Sequence, residues 1–560
     1  MRSPAPRALL ATASVAVALA AADTYVVVLA LTDMMTGVGL GIDALQKATP
    51  IISGFLLGYI AVLPLIGRLA DLVARQRILV ACLMIFVVGS AITALAVELP
   101  VLVTGRVLQG IGGGGLVPAT LAIVADLWPA ERRGTPLGVV GAVQEVGSVL
   151  GPVFGAAVLA VSDWRMIFWL NVVAGLALAA VVVAVGGQPL RRPRGIPVAL
   201  GALALVVGGL ALAAPARLAT DVTLGVPFVP FGDSTSRVLT PIGLVALALV
   251  LALVVVTAPR WWGLLRRADL PGAVLLGLAL GSVVLTFAAS DPEREVVGPL
   301  GFALLPVGAV ALGLYLWRHR TTAEPLVARG VVRGRARTSL VVSLMVGAAL
   351  VAVIVNVPVL ARLTLTDSQT VAAFVLVRFL LAVPVGALLG GWSLRRCGDG
   401  LVSGVGLLVA TAGLLVMSGW EDGSLDGPMA TVVLVLVGLG IGLALAPVNN
   451  AALADAPADA HGVASALVVV ARMVGMVVGL ALLTAIGLHR YYETVAALPD
   501  QTDTKALLAA GIVQVQTVFL GAAVAALLGA VASLGLGLRR RPADDHGAPS
   551  GSPLSTARLG

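Results

Sequence analysis

Apolar residues run along this chain in long unbroken stretches, divided by short clusters of Arg, Asp, Gly and Pro. About 20 consecutive apolar residues cross a bilayer as a helix. Sixteen stretches have roughly that size, with approximate limits 8–31, 49–70, 77–98, 101–126, 134–161, 164–186, 196–214, 238–257, 270–289, 299–318, 338–362, 369–393, 400–418, 429–454, 460–488 and 508–538. A membrane-spanning strand needs only about 9–11 residues and alternates apolar with polar positions. These runs are continuous, so the pattern predicts an all-α polytopic membrane protein.

The first stretch follows Arg2 and Arg7 and contains Ala20-Ala21-Ala22, which together resemble a secretory leader. The apolar run is longer than the core of a leader and continues past Asp23-Thr24-Tyr25, so it is read as a retained first span. The first six stretches form one block within residues 1–190, and the last six form another within 338–540. Residues 191–337 hold four further spans and an Arg-rich connector. Two six-helix blocks joined by linker helices are the plan of a transporter built from two halves. Residues 541–560, rich in Pro, Gly, Ser and Asp, read as a disordered cytoplasmic tail. Residues 489–495 are polar and helical in character, so the fifteenth and sixteenth helices either project beyond the outer surface or are joined by an ordinary helical loop.

Composition narrows the class. Of 560 residues, 59% are apolar and 11% charged, whereas a soluble domain is about a quarter charged. Mean hydropathy is +1.06. Cys82 and Cys397 are too few for a disulfide scaffold. The net charge of +8 suits either a nucleic-acid binder or a multi-spanning protein with positive inner loops. Sorting the cations separates the two. With the N-terminus inside, 25 of the 36 Lys and Arg fall in inner loops or the tail and 8 in outer loops, leaving Arg106, Arg378 and Arg472 within spans. Inner loops carry 10 acids against 16 outside. That asymmetry predicts cytoplasmic termini in a cell inner membrane. The cations are divided among loops without interleaved aromatics, which argues against nucleic acid.

Few charges remain inside the spans. Asp23 and Glu145 are the acids that lie away from span ends. Ionisable groups at membrane depth are functional hypotheses by default, and a carboxyl in low dielectric exchanges protons nearer neutral pH. Arg472 is the natural counter-charge for both. No Walker A pattern is present, and His319, His461, His489 and His546 lack metal-ligand spacing. No cofactor is expected, and the proton gradient is the expected driving force.

The loop after the second span reads Gly67-Arg68-Leu69-Ala70-Asp71-Leu72-Val73-Ala74-Arg75-Gln76-Arg77. It resembles motif A of the major facilitator superfamily, departing at Leu72, Ala74 and Gln76, with Arg77 in place of a missing cation. Asp71 at a helix end suits the dipole of a helix from the other half. Arg75 and Asp126 add charge-assisted bonds, making a cytoplasmic gate. Arg106, Gln109 and Gly110 resemble motif B. Gly147, Gly151, Pro152 and Gly155 resemble motif C, the antiporter motif, with Ala156 where Gly is usual. Trp164-Arg165, Phe168 and Asn171 resemble the sixth-span entry of drug:proton antiporters.

Asp23 through Val28, Gln144 through Pro152, Pro384 through Ala387, His461 through Ala466 and Val468 through Met476 are similar to the mycobacterial triacylglyceride transporter family. The resemblance covers about residues 8–190 and 270–538 and implies a major facilitator fold with linker helices. It also implies export of triacylglycerides or related amphiphiles toward a periplasmic lipid-carrier lipoprotein, with functional roles for Asp23, Glu145 and Arg472. The pair 196–214 and 238–257 is additional to the family's fourteen spans. Membrane lipid is the surrounding partner, and the expected state is a monomer. The alternatives are a multidrug:proton antiporter of the same fold and a membrane-embedded enzyme or scaffold, for which no catalytic constellation is visible.

Overall fold

The fold is given by a computed structural model, which describes residues 6–40, 45–185, 195–221, 223–232, 236–287, 301–366, 369–500 and 503–538. The expected disordered tail 541–560 and the loop cations Arg2, Arg191, Arg192, Arg194 and Arg294 lie outside them. Every regular element among the described residues is helical. The first half comprises α1 (Pro6–Gly37), α2 (Leu45–Leu72), α3 (Arg75–Leu95), α4 (Leu99–Leu127), α5 (Gly134–Leu159) and α6 (Trp164–Val185). The linker region comprises α7 (Ile196–Ala213), the single turn α8 (Ala216–Ala219), α9 (Pro241–Arg267), α10 (Leu270–Phe287) and α11 (Leu304–Thr321). The second half comprises α12 (Gly334–Thr364), α13 (Gln369–Ser393), α14 (Asp399–Met417), α15 (Pro428–Ala454), α16 (His461–Ala496) and α17 (Thr504–Ser533).

Sixteen helices among the described residues are long and apolar enough to span, the number read from the sequence. Apolar runs mark the cores of these helices but not their ends. Thus α9 continues past residue 257 through Arg260, Trp261 and Trp262 to Arg267, and α16 continues to Ala496. At 1.5 Å per residue, the 36 residues of α16 extend about 54 Å, against a hydrocarbon core of about 30 Å.

Each half repeats one packing plan. In the first, α4 lies between α2 and α3, and α1 runs beside α5. In the second, α15 lies between α13 and α14, and α12 runs beside α16. Glycines make the close approaches that hold such a plan together where lipid supplies no hydrophobic drive. Gly110 and Gly114 of α4 abut the backbone of α2, while Gly105 and Gly112 abut α3.

The halves meet through α2 with α16 and α5 with α13, on the face where the chain begins. We call this the terminal face. In the linker, α10 packs on α11, α2 and α16, whereas α7 and α9 pack mainly on one another. Only 11% and 6% of the apolar windows of α7 and α9 are buried, so this additional pair sits at the periphery.

The connector after α11 differs from the polar loop its Arg content suggests. Leu326, Val327 and Val331 are buried, the two valines within a core formed mainly by the first half together with residues of α15 and α16. Asp269 fixes the connector, accepting from Arg318 Nε at 2.7 Å and from the Leu326 amide at 3.0 Å. Its φ of 57° places it in the left-handed region, where Asp and Asn are among the few tolerated residues.

Candidate functional site: a buried carboxylate network and a seam between halves

Successive helical residues turn by about 100°, so the placement of one side chain fixes its neighbours. On α5, Gly147, Gly151 and Gly155 abut Ala18, Ala22 and Val26 of α1. This is the motif C row, and its spacing of four matches the spacing of its partners. The Pro152 side chain is not among the described side chains. A second stripe on α5 starts at Gly134 and continues through Gly138 and Gly141 to Glu145. Gly134 and Gly138 abut Gly391 and Ala387 of α13, and Gly141 faces Ala387 and Leu445. One helix therefore carries two faces, one clamped to α1 and one laid against the second half.

Those faces separate the two acids. Glu145 continues the seam stripe and stands 3.7 Å from Arg472 of α16, with both side chains 9% exposed. Asp23 follows Ala22, which faces α5, so its own side chain turns away into the first half. Arg106 of α4 donates to its Oδ2 at 2.5 Å, and Asn171 of α6 donates to its Oδ1 at 2.6 Å. Gln109 completes the network, accepting from Arg106 at 2.9 Å and donating to Ser90 at 2.8 Å. Phe55 covers the Arg106 guanidinium at 4.5 Å. Pairing Asp23 with Arg472 is thus corrected: the partner of Asp23 is Arg106, because the packing of α1 on α5 turns the carboxylate toward α4.

Between the halves lies a narrow cavity of about 20 Å³, bordered by Val117, Gln144, Ser343, Asn449 and Arg472 with otherwise apolar walls. A space of that size holds about one water, so the seam is shut around it in this state. The buried Oδ1 of Asn449 has no hydrogen-bond partner among the described residues. Tyr59 of α2 lies within electrostatic reach of both Arg472 and Glu145.

The terminal face is held by the motif A residues. Asp71 accepts from the amides of Gly462 at 2.6 Å and Val463 at 3.0 Å, at the first turn of α16. A carboxylate there faces the positive end of the helix dipole. Arg75 lies 3.9 Å from Asp71 and pairs with Asp126. Gly67 packs on Gly462 and Ala466. Arg77 is exposed and stands outside the latch; the other cation acting on Asp71 is Arg68. Gln76, which departs from the motif, donates to the Val182 carbonyl at 2.8 Å and ties α3 to α6.

Sequence reading passed over the counterpart in the second half. Gly67, Asp71 and Arg75 recur at the same spacing as Gly391, Arg395 and Asp399, with the charges exchanged. Gly391 packs on Gly134 as Gly67 packs on Gly462. Asp399 pairs with Arg335 and accepts from Asn450 at 2.8 Å. An internal comparison of the two halves would have shown this repeat.

A Cβ on Gly67 would lie 2.6 Å from the Gly462 carbonyl and 2.7 Å from the Ala466 Cβ. Gly67→Val is therefore expected to wedge the terminal face open. Spin labels on Arg77→Cys and Arg396→Cys, with Cys82 and Cys397 replaced by serine, should move apart by several ångströms. An unchanged distance distribution would rule out the glycine crossing as the closure.

A family model described as Major Facilitator Superfamily matches residues 13–290. A triacylglyceride transporter of Mycobacteroides abscessus is 36% identical over 496 residues, 87% of this chain and 83% of the relative. The chain belongs to the major facilitator superfamily and, within it, to the family of these triacylglyceride transporters. A second relative so named, from Mycolicibacterium hassiacum, is 37% identical over 86% of this chain and 80% of its own length. A probable triacylglyceride transporter of Mycobacterium leprae is 33% identical over 97% and 98%. Among solved structures, the human organic anion transporter MFSD10 superposes with a TM-score of 0.55 at 14% identity, covering 95% of this chain and 100% of its own. A proton:xylose symporter, XylE, superposes with a TM-score of 0.53 at 13% identity, covering 94% of each chain. These likenesses carry the fold. The facilitator is a transporter rather than an enzyme, and its motif A, B and C residues map onto the latch, the Asp23 network and the α1–α5 clamp.

Proposed function

We propose that this facilitator is a proton-coupled lipid exporter of the cell inner membrane, with triacylglycerides or related amphiphiles as cargo. The observation that carries the reading is the Glu145–Arg472 pair, which links α5 of one half to α16 of the other beside the narrow cavity between the halves. Protonation of Glu145 removes its attraction to Arg472 and shifts the balance between two arrangements of the seam. The printed names of the relatives support the cargo, and the scarcity of charge along the seam suits it. The Arg tally supports cytoplasmic termini, and with that orientation the latched terminal face is the cytoplasmic one. A cavity of about 20 Å³ is far below the several hundred needed for a drug-sized molecule, so cargo moves only when the halves rock apart. The length of α16 beyond the membrane suits docking of a periplasmic lipid-carrier lipoprotein, and one chain contains both halves, so a monomer suffices.

The test uses proteoliposomes. A fluorescent triacylglycerol should cross faster when a pH gradient is imposed, and ethidium should not. Ethidium flux with no lipid flux would assign the protein to multidrug efflux. Flux of neither would sink the transporter reading of this cargo class.

A further inference from the structure

The gate, the Asp23 network and the seam leave one cationic cavity without a role. It opens where α11 ends and the connector begins, with a volume of about 380 Å³. His319, Arg320, Arg329 and Arg333 line it, Val327 and Val332 form apolar walls, and no acid is among the described lining residues. Arg329 is already engaged, donating to the carbonyls of Arg320 at 2.9 Å and Thr322 at 2.8 Å. Arg320 and Arg333 are exposed. Asp269 does not neutralise them, because it is held by Arg318, and Glu324 is exposed and outside the lining. The buried Nδ1 of His319 has no hydrogen-bond partner among the described residues.

The surroundings set the level of this cavity in the membrane. Trp317, one turn before it, is 66% exposed. At the same face, Arg266 at the end of α9 stacks on Trp262 at 5.3 Å. Exposed Trp and Arg at the ends of apolar helices mark the boundary between hydrocarbon and headgroups. A concave cationic site with apolar walls at that boundary suits a phosphate carrying acyl chains, and basic pockets beside membrane helices recognise such headgroups.

We propose that this cavity binds the headgroup of an anionic phospholipid. Arg320 and Arg333 meet the phosphate through charge-assisted hydrogen bonds, with the His319 side chain in the lining beside them. The acyl chains lie along the exposed apolar side of α11, which includes Leu312 and Leu316. The bound lipid would pin the linker, and through the buried connector the first half, to one leaflet.

The experiment compares lipid binding by the full chain using native mass spectrometry and thermal unfolding in detergent. The wild-type protein should retain phosphatidylglycerol or cardiolipin in preference to phosphatidylcholine, and the anionic lipid should raise the melting midpoint. Arg320→Gln with Arg333→Gln should weaken retention by roughly thirtyfold. Arg132→Gln with Arg396→Gln removes the same charge elsewhere on the terminal face and should leave retention unchanged. Equal loss in both double variants, or equal retention of phosphatidylcholine, would overturn the proposal. So would an equal rise in melting midpoint with inorganic phosphate alone, which would make the cavity a site for a free anion.

Discussion

Glu145→Gln is expected to slow pH-gradient-driven lipid flux by at least about tenfold while the purified protein keeps its monodisperse profile. Glutamine reproduces the shape of the protonated side chain but cannot release the proton. With the charges 3.7 Å apart and an effective dielectric near 20, the attraction lost on protonation is roughly 4 kcal/mol. An energy of that size changes the ratio of two conformers by about a thousandfold, enough to switch the favoured arrangement of the halves. In the variant the seam is fixed in its protonated balance, so the imposed gradient has nothing to act on. The measurement is the initial rate in proteoliposomes with and without a gradient. A variant that keeps the gradient-dependent part of the rate would eliminate Glu145 as the coupling group.

Arg106→Ala should produce the largest loss of stability. The substitution leaves the Asp23 carboxylate in the interior with Asn171 and Gln109 but no cation. Removing one partner of a buried ion pair costs about 3–5 kcal/mol, because the remaining charge is uncompensated. It also removes the guanidinium that packs under Phe55. Scanning fluorimetry in detergent should show a clearly lowered unfolding midpoint. Adding Asp23→Asn should restore part of it, since the orphaned charge is then gone. Arg106→Lys should fall between, as an ammonium cannot reproduce the fork of the guanidinium. If the double variant melts no higher than Arg106→Ala, the lost packing rather than the buried charge sets the cost.

Helix positions and the first-half motifs were legible in the sequence because the membrane imposes length and because glycine rows, Arg and Asp at depth are rare. What was not legible is which faces meet. The sequence offers Asp23 and Glu145 as acids and Arg106, Arg378 and Arg472 as cations within the spans, and nothing in their spacing pairs them. The pairing depends on α5 turning Gly147 toward α1 and Gly141 toward the second half, a relation between helices far apart in the chain. The role of Gln76 was hidden for the same reason, since its acceptor is the carbonyl of Val182. The second-half cluster around Asp399 was hidden by the exchange of charges, which disguises the repeat from a search for the motif A pattern. The burial of the connector was hidden by composition, because Arg318, Arg320, Arg329, Arg333, Arg335 and Arg337 in and beside it mask the three apolar residues, Leu326, Val327 and Val331, that it buries.

The uninterrupted run of α16 gives the molecule a mechanical property. Several of its neighbours, including α2, α4, α12 and α15, contain an internal proline, a usual cause of kinking, whereas α16 has none in 36 residues. Its first turn is held at Gly462 by Asp71, and Arg472 lies about 15 Å further along the axis. The far end at Ala496 is about 51 Å from the same point. A rod held at one end and pushed near it is a lever, with a ratio here of about 3.4. A sideways shift of about 1 Å at Arg472, the scale on which losing an ion pair rearranges packed helices, becomes more than 3 Å at the tip. Under the proposed coupling, protonation of Glu145 at the seam would be delivered, magnified, to the end of the helix farthest from the latch.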